Sequence, residues 1–126
     1  MTSLDDTTSG MGNEIRVVRS GDRDGWSALV DPPGAIPSGG SEHEVFSAGA
    51  GAFTTGFWER EPDTWPFERP YDEVALILSG VADIETADGR TLRVETGDVL
   101  VTPKGSAGTW HIHETLVKFY AIYGAG

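Results

Sequence analysis

The chain has 126 residues, a net charge of −11 and no cysteine. This length fits one ordinary domain. The acidic charge disfavours binding to nucleic acids and anionic membranes, and the lack of cysteine excludes disulfides, thiolate metal sites and thiol nucleophiles. The sequence starts without a basic segment followed by an apolar one, and no stretch has the length of a membrane span. We therefore expect a cytoplasmic protein with no nucleic-acid or membrane partner.

The first third of the sequence contains few regular patterns. Residues 1–14 are polar, small and acidic, which predicts a disordered N-terminal tail ahead of one domain over residues 15–126. Residues 15–18 (IRVV) are a candidate short strand. Residues 31–44 contain three prolines and three glycines, and this composition predicts an irregular surface loop.

From residue 45 onward, short strand-like segments follow one another at regular spacing. They are rich in aromatic and β-branched residues, and the dipeptide Asp88-Gly89 is a strong hairpin signal. No window sustains a helical stripe. The pattern predicts an all-β fold, either a closed barrel or a jelly roll. The predicted strands lie in residues 52–60, 73–80, 81–98, 98–103 and 109–123, the last containing one or two strands.

Two spacings within these segments resemble a known family. Glu73 is followed after six residues by Gly80, and Gly97 is followed after five residues by Pro-Lys-Gly at 103–105. The pattern resembles the cupin superfamily, whose first motif ends in Glu, six residues and Gly, and whose second begins with Gly, five residues and Pro-x-Gly. Residues 50–123 look most like the short single-domain cupins akin to ureidoglycine aminohydrolase and the ethanolamine-utilisation cupins. The resemblance implies a single-domain jelly-roll barrel.

The histidines of metal-binding cupins are missing from the matching positions. The resemblance implies a His-x-His three or four residues before Glu73 and another His at position 108. The sequence has Pro-Phe-Glu-Arg at 66–69 and glycine at 108, and it does not match the differently arranged ligands of the aminohydrolases either. We therefore expect no metal and no other cofactor, because carboxylates without imidazole hold transition metals poorly. An alternative metal site would use Glu73, Glu68, His111 and His113.

Strand alternation decides where His111 and His113 point. If Gly108 faces the lumen, as the corresponding His of the family would, Trp110 and Ile112 point inward and both histidines point outward. A bulge before this segment would invert that arrangement. The sequence favours the first alternative, with exposed histidines that are not the centre of the site.

The same alternation places Glu73 in the lumen, together with Tyr71, Ala75 and Ile77. Burial raises the pKa of a carboxyl group that has no cationic partner, so Glu73 is a candidate general acid or base, with Tyr71 beside it. Arg69 has the same parity. It either binds an anionic substrate or pairs with Glu73, in which case Glu73 stays ionised and has a structural role.

Aromatic side chains are candidate walls of the lumen. Only one of Trp58 and Glu59 can face inward, giving either an apolar wall or a second carboxylate opposite Glu73. Trp65 and Phe67 flank one mouth of the barrel, as a lid over a ligand or as a plug. In the last strand, either the face with Tyr120 and Lys118 or the opposite face is the inner one. The residues expected to bind substrate are Arg69, Trp58, Trp110, Phe67 and Tyr120.

Three functions remain open at the level of the sequence. The first is a metal-independent enzyme that isomerises, eliminates, cyclises or hydrolyses a small polar metabolite; oxygen-dependent oxidation is disfavoured. The second is a non-catalytic module whose acidic, aromatic cavity would suit a cation or an amine. The third is a metal-dependent cupin with the alternative ligands. We also expect a homodimer, formed where a strand near residues 15–18 adds to the sheet of a neighbouring copy.

Overall fold

Eight antiparallel β-strands make up the fold in the computed structural model, which describes residues 13–30 and 39–124. Within these residues we find no helix of the length and apolarity needed to cross a membrane. The cytoplasmic location stays a prediction, and the tail predicted over residues 1–14 lies almost entirely outside the described residues. The strands are β1 (Ser27–Ala28), β2 (Gly40–Ala48), β3 (Phe53–Arg60), β4 (Thr64–Glu68), β5 (Asp72–Thr86), β6 (Thr91–Glu95), β7 (Val99–Thr102) and β8 (Ala107–Tyr123).

The two longest strands, β5 and β8, connect the layers of the barrel. The strands are ordered β1-β2-β3-β8-β5-β6, with β4 beside β8 and β7 beside β5. The first half of β5 pairs with β7 and its second half with β6, while β8 pairs first with β4 and then with β3. Because each long strand changes its outer neighbour halfway along, both pass through the two layers of the jelly roll. This confirms the all-β prediction.

Gly80 marks the bend that lets β5 change neighbours. Its φ is 100°, and the β5–β8 register shifts between Ile77 and Ala82. A Cβ atom added to Gly80 would overlap the backbone carbonyl oxygen of Thr115. The glycine that ends the first motif is therefore required both by the backbone conformation and by the close approach of β8.

The core follows the predicted alternation. Ala75 and Ile77 of β5 and Trp110 and Ile112 of β8 are each at most 4% exposed. The two strands thus turn the expected faces inward, and β6 contributes Val94 to the same core. Trp58, Trp65, Phe67 and Leu100 pack around this cluster and are partly buried. The buried cluster consists of Ile77, Ala82, Ile84, Val94, Trp110, Ile112 and Leu116.

Some strand predictions are wrong, because pairing with a neighbouring strand decides which segments become strands more than their own composition does. Residues 15–18 are not a strand; Ile15 and Val17 are exposed, and Arg16 reaches the sheet through its side chain, which donates to the Val45 carbonyl. Conversely, Gly40–Ala48 and Thr64–Glu68 are strands, although the first begins inside the loop predicted over residues 31–44 and the second lies outside every predicted strand. Long ladders with β3 and β8 supply the pairing that their own sequences do not indicate.

Candidate functional site

A cavity of about 260 Å³ opens at one end of the barrel, beyond the aromatic layer that closes the core. Strands β2, β3, β4, β5 and β8 all contribute to its lining, as does the short segment between β4 and β5. This volume suits a small ligand, since drug-sized ligands occupy larger pockets. The lining residues are Glu42, Trp58, Arg60, Trp65, Arg69, Tyr71, Glu73, Trp110, Lys118, Tyr120 and Ile122.

Glu73 lies inside the barrel, as predicted, but it is not alone there. Its side chain is 4% exposed, and its Oε2 accepts a hydrogen bond of 2.7 Å from the Lys118 ammonium. Its Oε1 lies 3.4 Å from Nε of Arg69, which also donates to Oγ1 of Thr102 at 3.0 Å. Of the two alternatives for Arg69, the structure therefore shows pairing with Glu73, and Lys118 of β8 adds a second cation that the sequence analysis does not pair with it.

Lys118 is a site residue that the sequence alone does not identify. Its ammonium lies 4.6 Å from the ring centre of Trp58 and 5.6 Å from that of Trp110. Burial lowers the pKa of Lys118 below its ordinary value, although the Glu73 carboxylate opposes this shift. One signal in the sequence points to it, since Lys118 shares a strand face with Tyr120, a candidate for the lumen.

Three tryptophans form the wall between the cavity and the core. Trp65 stacks on Trp110 with ring centroids 6.0 Å apart, and Trp58 lies 6.5 Å from Trp110. Trp58 therefore faces inward, while Glu59 points outward and pairs with Arg23 at 2.9 Å. This resolves the alternative between Trp58 and Glu59 in favour of an apolar wall.

Arg60 is a second cation of the site that the sequence alone does not identify. Its guanidinium lies 3.6 Å from the ring centre of Trp65, and its Nη2 donates to Asp63 at 3.1 Å. Its Nε is buried and has no hydrogen-bond acceptor among the described residues. Such an orphan donor costs free energy unless a ligand or water accepts from it.

Two tyrosines complete the polar lining. Burial raises the pKa of Tyr71, and the nearby Glu73 carboxylate adds to the rise. Burial also raises the pKa of Tyr120, where Glu42 is the strongest of the contributing carboxylates. Both phenols therefore stay protonated near neutral pH and can donate a hydrogen bond. The structure places Tyr120 on the inner face of β8, which settles the choice that the sequence leaves open.

One predicted binding residue does not line this cavity. Phe67 packs against Trp110 with ring centroids 5.9 Å apart, and the Arg69 guanidinium lies 4.6 Å from its ring centre. It packs against the buried cluster, as Trp58 and Trp65 also do. The interpretation of Phe67 as part of a plug therefore agrees better with its contacts than direct binding of a ligand.

The two histidines point away from the lumen. His111 Nε2 lies 3.3 Å from Glu85, and His113 Nε2 lies 2.7 Å from Asp83. Hydrogen bonds from Arg93 and then from His113 lower the pKa of Asp83 to about 2. This is a solvent-facing ion-pair cluster on the outer surface.

The alternative metal ligands do not converge. Glu73 lies inside the barrel and is held by two cations, whereas Glu68, His111 and His113 lie on β4 and β8 away from the cavity. Residues 13–30 and 39–124 contain no group of three His, Cys, Asp or Glu side chains arranged to hold a metal ion. The donor set does not fit the metal centre of a metal-binding cupin.

The comparisons with known proteins agree with this architecture. No curated protein matches the chain. A putative ethanolamine utilization protein Q from Salmonella typhimurium is 22% identical over 69% of this chain and 71% of its own, with a TM-score of 0.61. The EutQ protein of Clostridium difficile is 24% identical over 68% of each chain, with a TM-score of 0.60. A DUF861 family protein from Thermotoga maritima is 30% identical over 53% of this chain and 76% of its own, with a TM-score of 0.52.

A jelly-roll barrel with a small cavity in its lumen is an architecture that cupins share. Residues 47–120, more than half of the chain, match the EutQ-like cupin domain. The chain therefore belongs to the family of EutQ-like cupin domains. This confirms the resemblance inferred from the spacing between Glu73 and Gly80 and from the spacing between Gly97 and Pro103.

Proposed function

We propose that this cupin binds a small polar metabolite in its barrel cavity and transfers a proton to or from it without a metal ion. The observation that supports this most is the buried Glu73–Lys118 pair, whose oxygen and nitrogen are 2.7 Å apart at the cavity wall. A carboxylate and an amine at this distance form a ready proton donor–acceptor couple. In a site of low dielectric, the charges of a bound ligand act strongly on both groups.

The neighbours of the pair suit an acid–base role. Burial makes the Lys118 ammonium more acidic than an ordinary lysine, and Arg69 fixes the second oxygen of Glu73 in place. Tyr71 lines the same cavity as a protonated donor. Such a set matches isomerisation, elimination, cyclisation or hydrolysis, which all need a proton moved at a defined atom.

Deuterium exchange tests this proposal even while the substrate is unidentified. We expect that the protein, incubated in D2O with a panel of small polar metabolites, will introduce deuterium at an acidic carbon of one of them, measured as a mass gain. The Glu73→Gln variant is expected to lower this exchange rate by about 100-fold or more, because it cannot take up the proton.

The control is Glu85→Gln, which removes an exposed carboxylate that contacts His111 on the outer surface. Its exchange rate should match that of the unaltered protein. A folded Glu73→Gln variant that keeps the full rate would contradict the assignment of Glu73.

A specific observation favours a second candidate, a non-catalytic binding module. Both oxygens of Glu73 already face cations, as in a structural ion pair. In this case a ligand recovered from the cavity would be chemically unchanged, and no metabolite would gain deuterium at a rate that depends on Glu73.

We also propose that the chain forms a homodimer, through a different surface from the strand expected near residues 15–18. Two pairs of apolar residues lie side by side on the outer face of β7 and β5: Val101 with Val74, and Val99 with Leu76. All four side chains are at least 41% exposed. On the other side of β5, Ala121 of β8 pairs with Val74 and Phe119 pairs with Leu76. In a chain with a net charge of −11, this uncharged face is where two copies meet with the least repulsion.

Substitution of Val74 by Glu is therefore expected to convert the dimer into a monomer, because it buries a carboxylate at the contact. Light scattering coupled to size exclusion measures the mass directly. Thr91→Glu, at an exposed position of β6, is the matched control and should leave the dimer intact. A monomeric mass for the unaltered protein would exclude this assembly.

A further inference from the structure

The ionised groups around the cavity have the opposite balance to the rest of the molecule. Three cations line it, Arg60, Arg69 and Lys118, against two carboxylates, Glu42 and Glu73. The lining thus has one net positive formal charge in a chain whose net charge is −11. A local excess of cations inside low-dielectric walls attracts anions and concentrates them at the site.

The hydrogen-bonding groups of the lining show the same imbalance. Among the described residues, Glu73 is the one acceptor for the Lys118 ammonium, and Arg69 donates through Nε only. Arg60 donates to Asp63 through Nη2, and its Nη1 makes no hydrogen bond within this same part of the chain. Donors on three side chains therefore remain available at the cavity, whereas both oxygens of Glu73 are already engaged.

The aromatic walls already hold cations of the protein itself. The Lys118 ammonium lies over Trp58 and the Arg60 guanidinium over Trp65, at 4.6 Å and 3.6 Å from the ring centres. An external cation or amine would have to displace these groups or lie beside them, which like-charge repulsion opposes. The expectation that the cavity suits a cation or an amine does not agree with this geometry.

We propose that the ligand of this cavity is a small carboxylate anion, bound by the free donors of Arg60, Arg69 and Lys118 with its apolar part against the tryptophans. The inference rests on the proposed function only in placing the ligand in the cavity. A guanidinium matches the planar carboxylate group, and the volume of about 260 Å³ admits a body the size of one aromatic ring.

Three probes of nearly the same shape test the sign of the charge: benzoate, benzamide and benzylammonium. Binding is followed by tryptophan fluorescence, since three of the four tryptophans line the cavity, and is checked by calorimetry. We expect benzoate to bind at least tenfold more tightly than benzamide, and benzylammonium to bind more weakly than either. Inorganic phosphate serves as a further arm, and tighter binding of phosphate than of benzoate would overturn the assignment to a carboxylate.

Substitutions at Arg60 and Arg23 test whether benzoate binds in the barrel cavity. Arg60→Met is expected to weaken benzoate binding at least tenfold, and Arg60→Lys should weaken it less because the charge is kept. Arg23→Met removes a cation from the outer surface and should leave the affinity for benzoate, measured by calorimetry, unchanged. Equal affinity for the three probes, a preference for benzylammonium, binding of none of them, or full benzoate affinity in a folded Arg60→Met variant would each overturn the inference.

The result is separable from the proton-transfer test. Benzoate binding without any deuterium exchange would leave the carboxylate site standing and remove proton transfer at carbon from the catalytic proposal. Deuterium exchange confined to neutral or cationic metabolites would support the catalytic proposal and contradict the assignment of a carboxylate ligand.

Discussion

Replacing Glu73 by Leu is expected to lower the free energy of unfolding by about 3–5 kcal/mol, the range for breaking a buried ion pair by removing one partner. The Lys118 ammonium is 6% exposed and would lose its one carboxylate partner among the described residues, while the like charge of Arg69 remains nearby. Urea unfolding followed by circular dichroism measures this loss.

Two further variants make the test specific to the pair. Lys118→Met should cost less, about 2 kcal/mol, because Arg69 still faces Glu73 at 3.4 Å. The double variant Glu73→Leu/Lys118→Met should cost less than the sum of the two single variants, since neither Glu73 nor Lys118 is left buried without the other, although Arg69 still loses its carboxylate. If the two single costs simply add in the double variant, the groups do not interact and the assigned geometry is wrong.

Gly80→Ala is expected to have the other large effect, a loss of more than about 4 kcal/mol, a size seen only for severe local disruption. The substitution forces an alanine into a φ of 100° and drives its Cβ into the backbone of Thr115 and Leu116 on β8. Backbone atoms cannot move aside as a flexible side chain can. Thermal and urea unfolding of the purified variant, or its failure to accumulate as folded protein, provides the measurement.

Gly89→Ala is the matched control for Gly80→Ala. Gly89 has a φ of 88° in the β5–β6 turn, and a Cβ atom there would meet nothing within 4 Å. Its cost is expected to be about 1–2 kcal/mol, the penalty for a left-handed alanine alone. Similar losses at the two positions would show that the close approach of β5 and β8 does not constrain the fold.

The fold and the inner face of two strands could be predicted from the sequence because they depend on short-range patterns. The motif spacings resemble those of the cupins, and that resemblance together with alternation along single strands places Glu73 and Trp110 inside and His111 outside. These predictions do not depend on which strand lies beside which, so they agree with the structure.

The partners of Glu73 could not be predicted, because they depend on the register between distant strands. Lys118 is 45 residues away in the sequence, and only the β5–β8 pairing brings it to the carboxylate. Arg60 lies at the end of β3, where the sequence alone does not show whether it faces solvent or the lumen. For the same reason the sequence does not indicate the first half of β2 or the whole of β4, because pairing with neighbouring strands and not composition makes them strands.

The central position of β5 and β8 also has a kinetic consequence. The Glu73–Lys118 contact closes a segment of 45 residues, and contacts of such separation slow folding because the entropy of the intervening chain is lost before the contact forms. During that search the apolar inner faces of both strands are open to other molecules. Partly folded copies of the chain each have a net charge of −11 and therefore repel one another. This repulsion opposes aggregation while the contact between β5 and β8 forms.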